Sequence, residues 1–189
     1  IGYIHYDHIS WLKNKTIDGI IYEKTTKLLN SNIFVNQQEN KEITSKIEKA
    51  LVNNKSKKYF FGKDFNICRA ENNFIQYQDQ FGEIILPEPN LLGDHQLGNI
   101  STSIAASRKL FNVKDKHIKR GITKIKLKGR LQEIKSGKLK RLVKNNRLII
   151  DGSHNEDGAR VLNEYLQTLD CNKHVILGMM ANKDHEKYI

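Results

Sequence analysis

The feature that most restricts this chain is a strand–turn–helix–strand succession near its end. Arg147-Leu-Ile-Ile-Asp151 reads as a strand, Gly152-Ser-His-Asn155 as a tight turn, and 157–169 as a helix. Val161, Leu162, Tyr165, Leu166 and Leu169 recur at the 3.6-residue spacing of a buried helix face. His174-Val-Ile-Leu-Gly178 follows as the next strand. That order predicts a parallel sheet, and the whole chain reads as α/β.

The first part carries the same alternation. Helices are expected over 16–29, with Thr16 or Asn14 as cap, and over 41–52, where Ile43, Ile47, Ala50 and Leu51 share a face. Asn32-Ile-Phe-Val-Asn36 lies between them as a short strand. Tyr59-Phe-Phe, Phe65-Asn-Ile-Cys68, Phe74-Ile-Gln-Tyr77 and Ile84-Ile-Leu86 alternate with turn residues and predict a small antiparallel patch. Pro87 and Pro89 end that patch. Asp94 can cap a following helix with Ile100, Ile104, Ser107 and Phe111 along one side.

The formal charge of +11 is not spread evenly. Residues 114–147 hold 14 Lys or Arg against Asp115 and Glu133, while the rest of the chain nets −1. Within that stretch, Lys124-Ile-Lys-Leu-Lys128 and Lys138-Leu-Lys-Arg-Leu-Val-Lys144 alternate charge and aliphatic, as strands with one wet face do. No aromatic is interleaved to stack on bases, so the stretch reads as a solvated face or a site for an anionic small molecule ahead of a nucleic-acid surface. The charge shift places a domain junction near residue 122, with one domain at 1–122 and another at 123–189. No run approaches the roughly 18 apolar residues of a membrane helix. Cys68 and Cys171 have no CxxC partner and read as reduced, partly buried thiols of a cytoplasmic protein.

Asp151-Gly-Ser-His-Asn155 is the clearest candidate site, because ligands of open α/β sheets dock where a strand ends and a helix begins. The helix start offers free amides to a phosphate, Asp151 can accept a ribose hydroxyl, and His154 can donate to a phosphate or stack on a base. The same residues also serve as plain turn and cap residues, with His154 idle. Asp7-His8 and Glu23-Lys24 could together approach a divalent metal, but two side chains do not fill its shell. Asn99 opens a helix, and Arg130 after Gly129 could reach a phosphate. No Gly-x-x-x-x-Gly-Lys-Ser/Thr phosphate loop occurs.

Taken in order, these segments resemble the folylpolyglutamate synthase / dihydrofolate synthase family, a branch of the Mur ligases. Asp7-His-Ile-Ser-Trp-Leu12 is similar to the family's Asp-His-x-x-Trp/Tyr-Leu-Gly stretch, and Ile21-Tyr-Glu-Lys24 to its Glu-Lys helix end. Leu91-Leu-Gly-Asp-His-Gln-Leu-Gly-Asn99 resembles its Gly-x-His-Gln-x-x-Asn motif, and Gly129-Arg-Leu-Gln132 its Gly-Arg-x-Gln linker. Asp151-Gly-Ser-His-Asn155 and Gly178-Met-Met-Ala-Asn-Lys-Asp184 resemble its Asp-x-Ala-His-Asn and Gly-x-x-x-Asp-Lys-Asp pair. The resemblance implies the latter part of a Mur-ligase-type central domain followed by the start of a C-terminal Rossmann-like domain. It implies a ligase that uses ATP and Mg2+ to join L-glutamate to a folate or dihydropteroate. Asn99, Arg130, Asp151 and His154 would be nucleotide contacts, His8 a magnesium ligand, and Lys24 a carbamylated lysine serving a second magnesium.

The departures are specific. The family's phosphate loop has no counterpart in the chain and would precede Ile1, while the last strands of its C-terminal domain would follow Ile189. The chain is therefore expected to be a piece of a longer protein, working with a separate polypeptide that supplies the loop. Thr25-Thr-Lys27 stands where the family has Ala-Gly-Ile, Lys13 where it has Gly, and Leu127-Lys128 where it has Trp-Pro. Two other readings stand beside the ligase: a catalytically inactive remnant, and a basic nucleic-acid-binding module.

Overall fold

A computed structural model describes residues 1–6, 14–29, 31–180, 186 and 188. The chain divides into two compact units, one formed by Ile1–Glu88 and His95–Thr123, the other by Pro89–Asp94 and Lys124–Ile189.

The first unit opens with helix α1 (Ile17–Thr26), strand β1 (Ile33–Val35), helix α2 (Lys41–Ala50) and strand β2 (Lys58–Phe60). Thr16 caps α1, its Oγ1 accepting the Gly19 N–H at 3.1 Å. Asn40 does the same for α2, its Oδ1 accepting the Ile43 N–H at 3.0 Å. With α2 as crossover, β1 and β2 pair in parallel, Phe34 opposite Tyr59. The expected antiparallel placement of Tyr59-Phe-Phe is thereby corrected. The connection through α2 brings β2 alongside β1 in the same direction, as βαβ units require. Ile4, Ile20, Ile21, Ile33, Val35, Ile43, Ile47, Leu51 and Phe60 form the core here. Ile47 is fully buried on the α2 face it shares with Ile43 and Leu51. Ile47→Ala is expected to destabilise the unit by about 2–5 kcal/mol through lost burial and a residual cavity, read as a fall in the urea midpoint. A loss under about 1 kcal/mol would show that this helix face is not packed.

Strands β3 (Phe65–Arg69), β4 (Phe74–Asp79) and β5 (Gly82–Pro87) form the expected antiparallel meander. Asn72 and Asn73, at φ 57 and 60, make the turn between β3 and β4; asparagine tolerates the left-handed region that tight hairpins need. One sheet face is apolar: Ile67, Tyr77 and Ile84 lie in register, as do Ile75 and Leu86. Helix α3 (His95–Phe111) packs on β3 and β1 through a side that includes Ile100, Ile104 and Ala105. Phe111, expected on that side, is 75% exposed at the helix end. Helix α4 (Asp115–Lys124) follows, burying Ile118 and Ile122.

The α3–sheet contact carries an ion pair rather than apolar packing alone. Arg108 Nη1 lies 2.9 Å from Asp79 Oδ1, with the side chains only 10% and 5% exposed. Asp79 also accepts the Tyr77 hydroxyl at 3.0 Å and the Phe81 N–H at 2.8 Å.

The second unit contains strand β6 (Gln132–Glu133), helix α5 (Lys138–Leu142), strand β7 (Ile149–Ile150) and helix α6 (Glu156–Gln167). Here the sequence expectation needs three corrections. First, β7 pairs antiparallel with β6, and 174–178 is not a strand: Val175, Ile176 and Leu177 are 65%, 100% and 41% exposed. A parallel sheet needs a neighbouring strand on which the crossover can close, and among the described residues none pairs with 174–178. Second, 138–142 is helical, not extended, because lysine, arginine and leucine are good helix formers and no partner strand holds this segment open. Likewise 125–127 does not form a strand after α4. Third, α6 has the expected spacing but buries none of its residues fully. Both cysteines are exposed rather than partly buried.

Candidate functional site

In the second unit the turn after β7 is latched to the loop before β6. Asp151, next after β7, sends its carboxylate back: Oδ2 accepts the Leu131 N–H at 2.8 Å and Oδ1 the Ser153 N–H at 2.8 Å. The Gly152 N–H donates to the Gly129 carbonyl at 2.7 Å, and the Gly129 N–H to Gln132 Oε1 at 2.9 Å. Gly129 (φ +66) and Leu131 (φ 44) both occupy the left-handed region. Glycine does so freely; leucine does so under strain, and burial of its side chain plus the bond to Asp151 hold it there. Arg130 is thereby presented between two fixed residues, exposed, with its charge near Asp151. Arg130 and Asp151 are therefore brought together, through Leu131.

Burial alone would raise the Asp151 carboxyl. Hydrogen bonds from Ser153 and Leu131, with the Arg130 charge, outweigh it and hold the group below its ordinary value. The two N–H groups and the Ser153 side chain leave one of the carboxylate's roughly four lone pairs, so Asp151 can anchor the turn and still accept a ligand hydroxyl.

Asn155 caps α6, its Oδ1 accepting the Gly158 N–H at 2.9 Å. A Cβ on Gly158 would collide with the Ser153 Cβ, so glycine lets the turn lie against the first turn of the helix. Ser153 Oγ is 2.6 Å from the Tyr188 hydroxyl. His154 is half-buried, its Nδ1 3.4 Å from the Gly152 carbonyl. Glu156 and Asp157 already occupy the first turn and offset its positive dipole. An anion at this turn would therefore rely on Arg130 more than on the helix start.

Asn99 lies in the first unit, exposed in the first turn of α3. Its amide belongs to a polar network: Asn36 Nδ2 donates to Asn99 Oδ1 at 2.9 Å, and Asn99 Nδ2 donates to Gln96 Oε1 at 3.1 Å. His8 lies outside the described residues, as does the motif 7–12 around it. Lys24 is exposed on α1, close enough to the Ile1 ammonium to depress the latter, after burial. Among the described residues no three His, Cys, Asp or Glu side chains converge on a metal position.

Three structural participants have no role in the sequence reading, although Leu131 and Gln96 stand inside its motifs. Leu131 could have been flagged only as the bulky residue inside a Gly-Arg-x-Gln turn. Asn36 and Gln96 are 6% and 5% exposed; a polar residue directly after the apolar run Ile33-Phe-Val35 was the available signal for the former. A cleft of about 470 Å³ among Phe34, Tyr59, Phe81, Ala105 and Lys109 left no motif at all, because these residues come from three separate elements and a turn. Among the described residues, no helix is long and apolar enough to cross a membrane.

No protein-family model matches the chain. Folylpolyglutamate synthase of Lacticaseibacillus casei is 29% identical over 135 residues, covering 66% of this chain and 30% of that protein. A mutant of L. casei FPGS superposes with a TM-score of 0.73 at 21% identity, over 95% of this chain and 44% of that one. E. coli FolC in complex with DHPP and ADP gives 0.72 at 23% identity, over 90% and 38%. Mycobacterium tuberculosis folylpolyglutamate synthase complexed with ADP and AMPPCP gives 0.71 at 21% identity. The chain thus spans less than half the length of these relatives. It is similar in sequence to a folylpolyglutamate synthase and has the α/β fold of a part of these solved structures.

Proposed function

We propose that this chain contributes the nucleotide-binding part of an ATP-dependent ligase that joins L-glutamate to a folate or dihydropteroate in the cytoplasm. The observation that carries the reading is the Asp151 latch, which fixes the left-handed Leu131 and so presents Arg130 beside a carboxylate. In this reading Arg130 attends a phosphate, Asp151 a ribose hydroxyl, His154 the base or a phosphate, and Asn99 the base. The relatives' solved complexes with ADP and AMPPCP support a nucleotide as the ligand. A magnesium ion accompanying the nucleotide would call on His8 and a carbamylated Lys24; carbamylation would turn a cation into an oxygen ligand.

The chain has no phosphate loop motif of its own, so turnover is proposed to need a segment or separate polypeptide that supplies one. Alone, the protein is expected to release no glutamate-dependent phosphate from ATP. Mixed with a polypeptide carrying such a loop, it is expected to release phosphate only when glutamate and a folate or dihydropteroate are both present. Arg130→Ala should lower that rate by about a hundredfold, the usual cost of removing one transition-state donor. Phosphate release indifferent to glutamate, or untouched by Arg130→Ala, contradicts the reading.

A further inference from the structure

We propose that Asn36 is a positioning residue: it sets which way the Asn99 amide faces, and so makes Asn99 selective for a 6-aminopurine over a 6-oxopurine. The inference rests on the nucleotide reading above and deepens it.

An asparagine amide can sit either way round, and its direction is fixed only by partners whose own direction is fixed. Here the fixed point is backbone. The Gln37 N–H can only donate, and it lies 2.8 Å from Asn36 Oδ1. The Thr102 hydroxyl stands 3.0 Å from the same oxygen. Asn36 Nδ2 must therefore face Asn99, and Asn99 must answer with its carbonyl oxygen at 2.9 Å. Asn99 Nδ2 then faces Gln96 Oε1 at 3.1 Å. Gln96 is left with its own NH2 toward His95, 2.8 Å from Nε2, which accepts. One backbone N–H orders four side chains.

Two further observations show that the contact is built rather than incidental. Asn36 and Gln96 are buried, where an unpaired amide would be costly. Gly98, one turn into α3, brings the helix onto Asn36: a Cβ there would stand 2.9 Å from Asn36 Oδ1 and 3.4 Å from the Gln37 Cβ.

The valence count gives the specificity. Asn99 is exposed and has spent one of two lone pairs on Asn36 and one of two N–H groups on Gln96. One acceptor and one donor remain. That pair complements adenine, which offers N7 as acceptor beside an N6 amino donor. A 6-oxopurine offers two acceptors at the same edge, so one of them would face the Asn99 oxygen.

The test uses the full chain with ATP and ITP as ligands, and follows the Asn99 side-chain NH2 signals by NMR. The wild type should prefer ATP over ITP by at least about fivefold. Asn36→Ala should reduce the preference to less than about twofold. It should also move the two Asn99 Nδ2 protons toward the positions of a free amide without ligand, while circular dichroism stays unchanged. Gly98→Ala, which presses on Asn36 without removing it, should produce part of both effects. Unchanged Asn99 signals in Asn36→Ala, or a preserved ATP preference, overturns the proposal. If the wild type binds neither nucleotide, the nucleotide reading fails and the purine preference with it. The ligand-free NH2 signals then decide the positioning role alone.

Discussion

Arg108→Met is expected to destabilise the first unit by about 3–5 kcal/mol, the largest effect anticipated for a single side chain outside the apolar core. The cause is the charge left behind. Asp79 is 5% exposed and turns its carboxylate to Arg108 at 2.9 Å; without the guanidinium it stays buried with only the Tyr77 hydroxyl and the Phe81 N–H. Arg108 also reaches the carbonyls of Gly82 and Phe81, so its loss frees the β4–β5 turn as well. Tyr77 reports the same environment. Burial, then the neighbouring Asp79 charge, pushes its hydroxyl far above the ordinary tyrosine value, so it remains a neutral donor at any working pH. Urea unfolding of the wild type, Arg108→Met and the double variant Arg108→Met/Asp79→Asn separates the terms. The double variant should recover a substantial part of the loss, because neither charge is then stranded. A single-variant loss under about 1 kcal/mol would show that the pair is solvated.

Asp151→Ala is expected to abolish measurable ATP binding and to loosen the 129–132 turn. Two N–H groups lose a charged acceptor, and the left-handed Leu131 loses the bond that holds it. Hydrogen bonds to a charged group contribute about 1.5–3 kcal/mol each when well buried, and less for this half-buried carboxylate. The pH dependence has a definite sign. The folded carboxyl is depressed below its unfolded value. Its contribution is therefore complete above the ordinary aspartate range, near 4, and is lost as pH falls through the depressed folded value. The stability gap between the wild type and Asp151→Asn should be constant from about pH 5 to 7 and close in more acid solution. A gap that widens on acidification contradicts the assignment. Calorimetric titration with ATP that is the same for the wild type and Asp151→Ala would remove Asp151 from the site.

What the sequence made legible follows from where structure is decided locally. The Thr16 cap and the antiparallel patch of β3–β5 depend on near neighbours, and the pattern of residues reported them, whereas the Asn40 cap and the Asn72–Asn73 turn were not picked out. Pairing direction is a long-range matter, and there the reading failed: β2 chose β1 because α2 carries it there, not because of its own composition. In the second unit, helical spacing in α6 and a β-type run at 174–178 were both present, yet neither is buried, since periodicity specifies a face but not what covers it. The alternating Lys-Leu segment at 138–142 shows the same limit from the other side. With no strand paired to it among the described residues, its lysine, arginine and leucine follow their helical preference, and Lys140 caps the backbone carbonyls of Lys144 and Asn146.

For the candidate site, residue types were readable and their supports were not. Arg130 and Asp151 stood out by their places in a loop and at a strand tip. The tie between them runs through a strained backbone at Leu131, which no composition or period announces. Asn99 was readable as a helix-opening residue, whereas the ordering of its amide by Asn36 depends on a contact 63 positions away.

In the proposed function the turn joining Gly129–Leu131 to Asp151–Asn155 receives an adenine nucleotide. Backbone amide shifts of the full chain during titration with ATP to millimolar concentration address it directly. The signals of Gly129, Leu131, Ser153 and Asn155 are predicted to move together along one saturating curve, and to stay still in Asp151→Ala. If those four amides keep their positions while ATP saturates elsewhere, or if nothing moves at all, the nucleotide account of this turn is wrong.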